Sequence, residues 1–301
     1  MPTPFDGHAH KFKRMPIGPR DWADRYRRAN PVSLQVVKSK LEREMARVFV
    51  TGSSAGLGLM AGQLLIEQGH KVVLHGRNHE RANEAMANAP GAEAAVVGDL
   101  STIKEMKSVA DQVNRLGRFD AVIHNAGVGY RESLRVETQD GAPEVFAVNV
   151  LAPYVLTALI ERPDRLIYLS SGMHHSAEAN LDDLLWIRRP WRGAQAYAES
   201  KLYDAMLAFA VARIWPKVRS NALEPGWVAT RMGGPAATGD LSKGHITQAW
   251  LAVSNDALAL SSGDYFFHKM LRASNPAAKD ESAQRGLLDA CAGLSGVSLG
   301  K

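Results

Sequence analysis

From residue 47 onward short apolar runs alternate with amphipathic stretches, and few architectures accept that alternation. The runs are RVFVT (47–51), KVVLH (71–75), EAAVV (93–97), FDAVIH (119–124), RLIYLS (165–170) and VRSNAL (218–223). Amphipathic stretches lie near 57–68, 78–88, 102–116, 141–160 and 195–214. Each run is too short for a stable helix and is apolar on both faces, as strands covered from both sides are. Helices of this length between such strands make right-handed crossovers in a parallel sheet. The expected fold class is therefore α/β: one doubly wound parallel sheet flanked by helices, in a single domain over 45–301. A final strand is expected in SGDYFFHKM and a closing helix in NPAAKDESAQRGLLDACAGLSG.

Charge narrows the function classes once it is located. The formal charge is +5. Residues 1–44 hold ten Lys/Arg against five Asp/Glu, and the remaining 26 basic and 26 acidic residues balance. A neutral body gives no electrostatic footprint for nucleic acid. The basic, proline-containing arm reads as a partly disordered N-terminal extension; a contact with an acidic partner is the other reading. Met45 opens MARVFVTGSS, which looks like an ordinary protein start, so the arm is expected to be dispensable. The single thiol, Cys291, can form no internal disulfide, and no uninterrupted apolar run is long enough to cross a bilayer. The opening residues also lack the apolar core of a secretion signal. A cytoplasmic location is expected.

The first run leads directly into Thr51-Gly52-Ser53-Ser54-Ala55-Gly56-Leu57-Gly58 and then a helix. Glycines at such a strand–helix turn let backbone N–H groups approach a pyrophosphate at the helix N-terminus. The spacing Gly-x-x-x-Gly-x-Gly resembles the short-chain dehydrogenase/reductase family, whose Thr-Gly-x-x-x-Gly-x-Gly pattern is matched by Thr51, Gly52, Gly56 and Gly58 and whose fold is Rossmann-type. The second strand ends His75-Gly76-Arg77-Asn78. An acid there would bond the ribose diol of NAD; a guanidinium can pair with the 2′-phosphate of NADP. Gly76 stands where the acid is expected, so NADP(H) is favoured, with Arg77 and Asn78 as contacts. By resemblance, Asp99-Leu100 contact the adenine. Asn125-Ala126-Gly127 match the family's Asn-Ala-Gly motif, with His124 replacing the more usual Asn before it. Asn125 is read as structural first and as a cofactor contact second.

Tyr197 and Lys201 lie four residues apart on a helical stretch, so phenol and ammonium share a face. A free phenol has a pKa of ~10; making it exchange protons near neutrality takes roughly 3–4 kcal/mol of preferential phenolate stabilisation. A neighbouring cation provides some of that. In the family the tyrosine is the general acid/base, and the lysine holds the nicotinamide ribose and lowers the tyrosine pKa. The resemblance further implies Ser171 as the substrate-oxygen donor, with Ser170 the alternative. It implies Asn149 as the holder of a relay water. Pro225, Gly226, Val228 and Thr230, in the Pro-Gly-x-Val-x-Thr motif, are implied to close over the nicotinamide. The interval from Ser171 to Tyr197 is longer than is common in the family and looks like the insertion of the retinol-dehydrogenase-like branch. It offers Trp186 and Trp191 as apolar lining. His174 and His175 in it lack a third ligand, so no metal site is expected. The implied activity is NADP(H)-dependent hydride transfer to or from a small-molecule carbonyl or alcohol, lipophilic in character. A non-catalytic NADP(H)-sensing module is the alternative. Paired helices of the family often dimerise, so a homo-oligomer is admitted.

Overall fold

The computed structural model describes residues 45–300; the expected extension over 1–44 lies outside the described residues. Seven parallel strands run in the order β3-β2-β1-β4-β5-β6-β7, with β8 antiparallel at the edge. They are β1 (Arg47–Val50), β2 (Lys71–Gly76), β3 (Ala94–Val97), β4 (Ala121–His124), β5 (Arg165–Leu169), β6 (Arg219–Glu224), β7 (Tyr265–Phe267) and β8 (Met270–Leu271). Crossover helices are α1 (Gly56–Glu67), α2 (His79–Asn88), α3 (Ile103–Arg115), a helical stretch α4 over 144–159, α5 (Gly193–Ile214), α6 (Leu241–Gly244) and α7 (Ile246–Val253), and α8 (Glu281–Ser295) follows the last strand. Two apolar layers sandwich the sheet. Phe49 of β1 joins the layer built from α3, α4, α5 and α8, while Val48 and Val50 join that of α1, α2 and α7. This is the period-two alternation of a strand buried on both sides.

The doubly wound sheet and its six expected strands are present. The expected single strand in SGDYFFHKM is instead a hairpin: His268 and Lys269 both take positive φ, 48° and 63°, and turn β7 back as β8. Two successive left-handed residues make the tight turn that suits the twist of antiparallel strands. The return brings Arg272 onto the buried Glu224 carboxylate at the end of β6. α7 was not foreseen, and α5 differs in environment. Its spacing suggests a half-buried helix, yet Ala196–Val211 are buried throughout. The difference lies in the chain after β8. Leu287 and Cys291 of α8 enter the same core as Tyr203 and Phe209 of α5. Tyr154 Oη donates to Val297 O at 2.9 Å and Trp215 Nε1 to Gly300 O at 2.7 Å, sealing the outer face of α4 and α5.

The strand order reverses between β1 and β4, where crossovers leave on opposite faces. A crevice opens at the carboxyl ends of the strands at such a point.

Candidate active site

That crevice is a cleft of about 380 Å³. Its floor is the glycine turn. α1 begins at Ala55 with no side-chain cap and has no acidic residue in its first turn, whereas α2 and α3 are capped by Asn78 and Thr102. The unpaired N–H groups of α1 and the positive end of its dipole therefore suit an anionic group. Close approach explains two glycines. A Cβ on Gly52, whose φ is +61°, would lie 2.7 Å from Ala126 Cα, and one on Gly58 would lie 2.4 Å from Asn125 Nδ2. Asn125 Nδ2 donates to Thr51 O at 3.0 Å and Gly52 O at 3.1 Å, and Thr51 Oγ1 accepts from the N–H groups of Asn125 and Ala126, both at 3.0 Å. Asn125 thus ties the end of β4 to the turn, a structural place.

His75 completes the floor. Its Nδ1 accepts from Gly52 N at 3.0 Å and its Nε2 faces Gly98 O at 2.9 Å, which fixes a neutral ring. Burial holds its pKa down at about 4, with Gly98 and Asp99 acting in the other direction. Ser53 lies beneath, donating to Val50 O at 2.8 Å and accepting from His75 N at 2.8 Å.

At one end the cleft is lined by Arg77, Arg81, Asp99 and Leu100, and at the other by Ala126, Gly127, Tyr197, Lys201, Pro225 and Thr230. Gly52, Ser54, Gly56, Leu57 and Asn125 line it between. Several expected contacts stand behind the lining. Asn78 Oδ1 caps α2, accepting from Arg81 N at 2.9 Å. Ser53, Gly58 and Val228 are buried, and Gly226 supplies a left-handed turn with φ +84°. The residue set fits a dinucleotide: uncapped amides at the centre, two guanidinium groups at one end, a phenol and an ammonium at the other.

Around Tyr197 four elements converge. The Lys201 ammonium lies 5.8 Å from the Tyr197 ring centroid and donates to Leu169 O at 2.7 Å and to Asp204 Oδ2 at 2.8 Å. A Cβ on Gly127 would meet Asn149 Oδ1 at 3.3 Å and Lys201 Nζ at 3.6 Å. Asn149 sits in a π-helical turn, Ala147–Leu151, that interrupts α4 between Glu144–Phe146 and Ala152–Leu159. Its Oδ1 accepts from Val128 N at 2.8 Å, and its Nδ2 donates to Ser200 Oγ at 2.9 Å and Val128 O at 3.2 Å. The two serines separate cleanly. Ser170 lines the cleft, but its buried Oγ donates to Lys201 O at 2.6 Å, while the Ser171 hydroxyl accepts from Met173 N at 3.3 Å and acts to lower the pKa of the Tyr197 phenol. Burial raises the phenol's pKa above its usual value, and Lys201 and Ser171 pull it back only in part. His124 lies away from this cluster; its Nε2 is 3.0 Å from Thr157 Oγ1 and its ring packs on Tyr168, with burial driving its pKa down to about 3.

Beside the phenol is an apolar chamber. Trp186 and Val145 are buried against Tyr197, with Val128, Tyr130, Met173, Trp191 and Met232 around them. Met232 Sδ lies 3.8 Å from the phenol oxygen. Trp186 holds φ at 53°, which is strained for a bulky residue. Three successive N–H groups, from Ile187 to Arg189, donate to the Asp183 carboxylate, and Arg189 is bidentate to the buried Glu199 of α5. His174 Nδ1 faces Ser171 O at 2.7 Å and its Nε2 accepts from Asn275 N at 3.1 Å, so it braces the chain after β5. Among the described residues no His/Cys/Asp/Glu group could hold a metal ion, and no helix is long and apolar enough to cross a membrane.

Sequence reasoning missed Arg81, Asp204, Met232 and the Arg189–Glu199 clamp. Asp204 falls one helical turn from Lys201 on α5, a spacing signal that was there to be used, and Arg81 lies in the first turn of α2, just past Arg77.

A profile described as short chain dehydrogenase matches residues 46–165. An uncharacterized oxidoreductase of Emericella nidulans is 42% identical over 259 residues, spanning 85% of this chain and 99% of its own length. Retinol dehydrogenase 13 of Homo sapiens is 29% identical over 281 residues, spanning 83% of this chain and 84% of its own. The crystal structure of a blue fluorescent protein from a metagenomic library, in complex with NADPH, superimposes with a TM-score of 0.60 at 22% identity, covering 73% of this chain and 95% of that one. Strand order, glycine spacing and relatives agree that the chain belongs to the short-chain dehydrogenase/reductase family of oxidoreductases.

Proposed function

We propose that this oxidoreductase uses NADP(H) in preference to NAD(H) and acts on a lipophilic carbonyl or alcohol. The observation that carries the reading is the meeting of the Tyr197 phenol and Lys201 ammonium in one cleft with Arg77 and Arg81. The bound cofactor supplies or accepts the hydride. The amides at the start of α1 hold its pyrophosphate. Arg77 pairs with the 2′-phosphate. A Cβ on Gly76 would lie 2.4 Å from Ala82 N, so the backbone of α2 leaves no room for an acid at that position. Lys201 orients the nicotinamide ribose. Ser171 donates to the substrate oxygen, and Tyr197 passes its proton to that oxygen as the carbonyl is reduced. Asn149 holds the relay water beside Lys201. The chamber of Trp186, Tyr130 and Met232 excludes water and favours an apolar substrate.

The test is NADPH and NADH consumption by the full chain against a panel of aldehydes and ketones, with Tyr197→Phe alongside. Turnover with NADPH is expected, and the phenylalanine variant should lose about 10²–10⁴-fold in kcat while binding NADPH as before. Retained turnover would give the acid role to another group; NADPH binding with no turnover on any carbonyl would turn the reading into that of a sensing module.

A further inference from the structure

The proton-transfer pair contains a third charge that the reaction scheme leaves unused. Asp204 lies on α5 three residues past Lys201, is 2% exposed, and accepts from Lys201 Nζ at 2.8 Å. The ammonium's other bond goes to Leu169 O at the end of β5, so it is held from two sides. The charged and titratable groups facing Asp204 are few. Lys201 and Tyr197 approach from its own helix and Tyr168 from β5, with the neutral His124 ring of β4 behind Tyr168. Lys201 is the cation that faces it.

We propose that Asp204 is a positioning residue for proton transfer: it fixes Lys201 Nζ beneath Tyr197 and compensates the ammonium charge, so that the phenol remains a proton donor. The inference rests on the acid/base reading of Tyr197. Phenol, ammonium and carboxylate together carry no net charge. Losing the phenolic proton would leave a net negative charge in a dry interior. Without the carboxylate the same group starts at +1 and becomes neutral on losing a proton, which burial favours. The phenol's raised pKa fits this, because burial dominates, Lys201 opposes it, and Asp204 adds to it. Burial also lifts the Asp204 carboxyl to about 7 against the pull of Lys201, so the carboxylate is ionised where Tyr197 titrates. The consequence is a chain set for carbonyl reduction wherever that carboxylate is ionised and the phenol is not. The carbonyl carbon gains hydride from NADPH, its oxygen gains the Tyr197 proton, and the phenolate regains a proton from water. Removing a proton from an alcohol needs alkaline conditions.

The test is an ultraviolet titration of phenolate in the cofactor-free full chain, taken as the difference between each protein and its Tyr197→Phe counterpart. In the unsubstituted protein Tyr197 should ionise above the ordinary ~10. In Asp204→Asn, which keeps the shape and an acceptor for Nζ, the midpoint should fall by about one pH unit or more. Coincident curves, or an upward move, overturn the proposal. Ionisation below ~10 in the unsubstituted protein overturns it too, whether or not the variant folds. An active Tyr197→Phe enzyme would remove the acid/base reading and leave the titration standing. An inactive one with coincident curves would remove this inference alone.

Discussion

At the scale of single residues, cofactor choice rests on Gly76 and Arg77. The glycine keeps α2 against the sheet, and the guanidinium beside it lines the adenosine end of the cleft. A charge-assisted pair with a 2′-phosphate contributes about 1.5–3 kcal/mol. Arg77→Ala should therefore weaken NADPH binding about 10–100-fold and leave NADH nearly unchanged, as read by fluorescence titration of both; equal losses would sink the assignment. The residues legible from sequence are those whose meaning lies in local spacing. Glycines in one turn, and Tyr197 with Lys201 one helical turn apart, declare themselves. Asp204 stood in the same stretch, but its role needs the dry interior of a folded core to be seen: a carboxylate on a solvated helix face would have the same sequence and no such effect. His75 reads as a strand residue, and only the fold shows its two ring nitrogens bridging Gly52 and Gly98.

At the scale of elements, the segment 181–192 acts as a wall hung on α5. Asp183 gathers successive amides, Arg189 grips Glu199, and the guanidinium stacks 3.7 Å over Trp186. That network holds Trp186 in its left-handed conformation next to Tyr197. Glu199→Gln removes the charge from a buried pair and leaves Arg189 poorly matched. The expected result is a several-fold rise in KM for a lipophilic carbonyl with KM for NADPH unchanged, together with faster proteolytic cleavage within 181–192; a rise in both KM values would place the clamp elsewhere. Sequence identified this segment as an insertion but not as a clamp, because Arg189 and its partner Glu199 lie 10 residues apart and across a turn. The π-turn around Asn149 was equally hidden, since FAVNVLAPYVL has the spacing of an ordinary apolar helix. The alternation of strands and helices was plain because each crossover repeats the same signal, whereas the β7–β8 turn uses His268 and Lys269 where glycine or asparagine would have marked it.

For the whole molecule, three buried rings set the response to acid. Burial holds His75 and His174 at about 4 and His124 at about 3. In the unfolded chain they return to ~6.5. The folded values are depressed, so their contribution is fully present above pH ~6.5 and is lost as the pH falls towards 4. The Asp204 carboxyl, raised to about 7, works in the opposite sense over the same window, as do the Glu144 and Glu224 carboxyls that burial also raises, while His70, His175 and His245, lowered by burial, act with the three rings. The thermal midpoint of the full chain should fall steadily between pH ~6.5 and 4 at constant ionic strength; a flat midpoint there would mean that the rings are not held neutral. The cover over α4 and α5 bears on how such a molecule comes into being. The helix bearing Tyr197 leaves the ribosome well before residues 281–300 do, and until they arrive its outer side chains have nothing to lie against. Synthesis therefore passes through a stage in which every reactive group has been made but the apolar back of the enzyme still faces water, and that interval, rather than the finished protein, is where chaperones would have the most to hold.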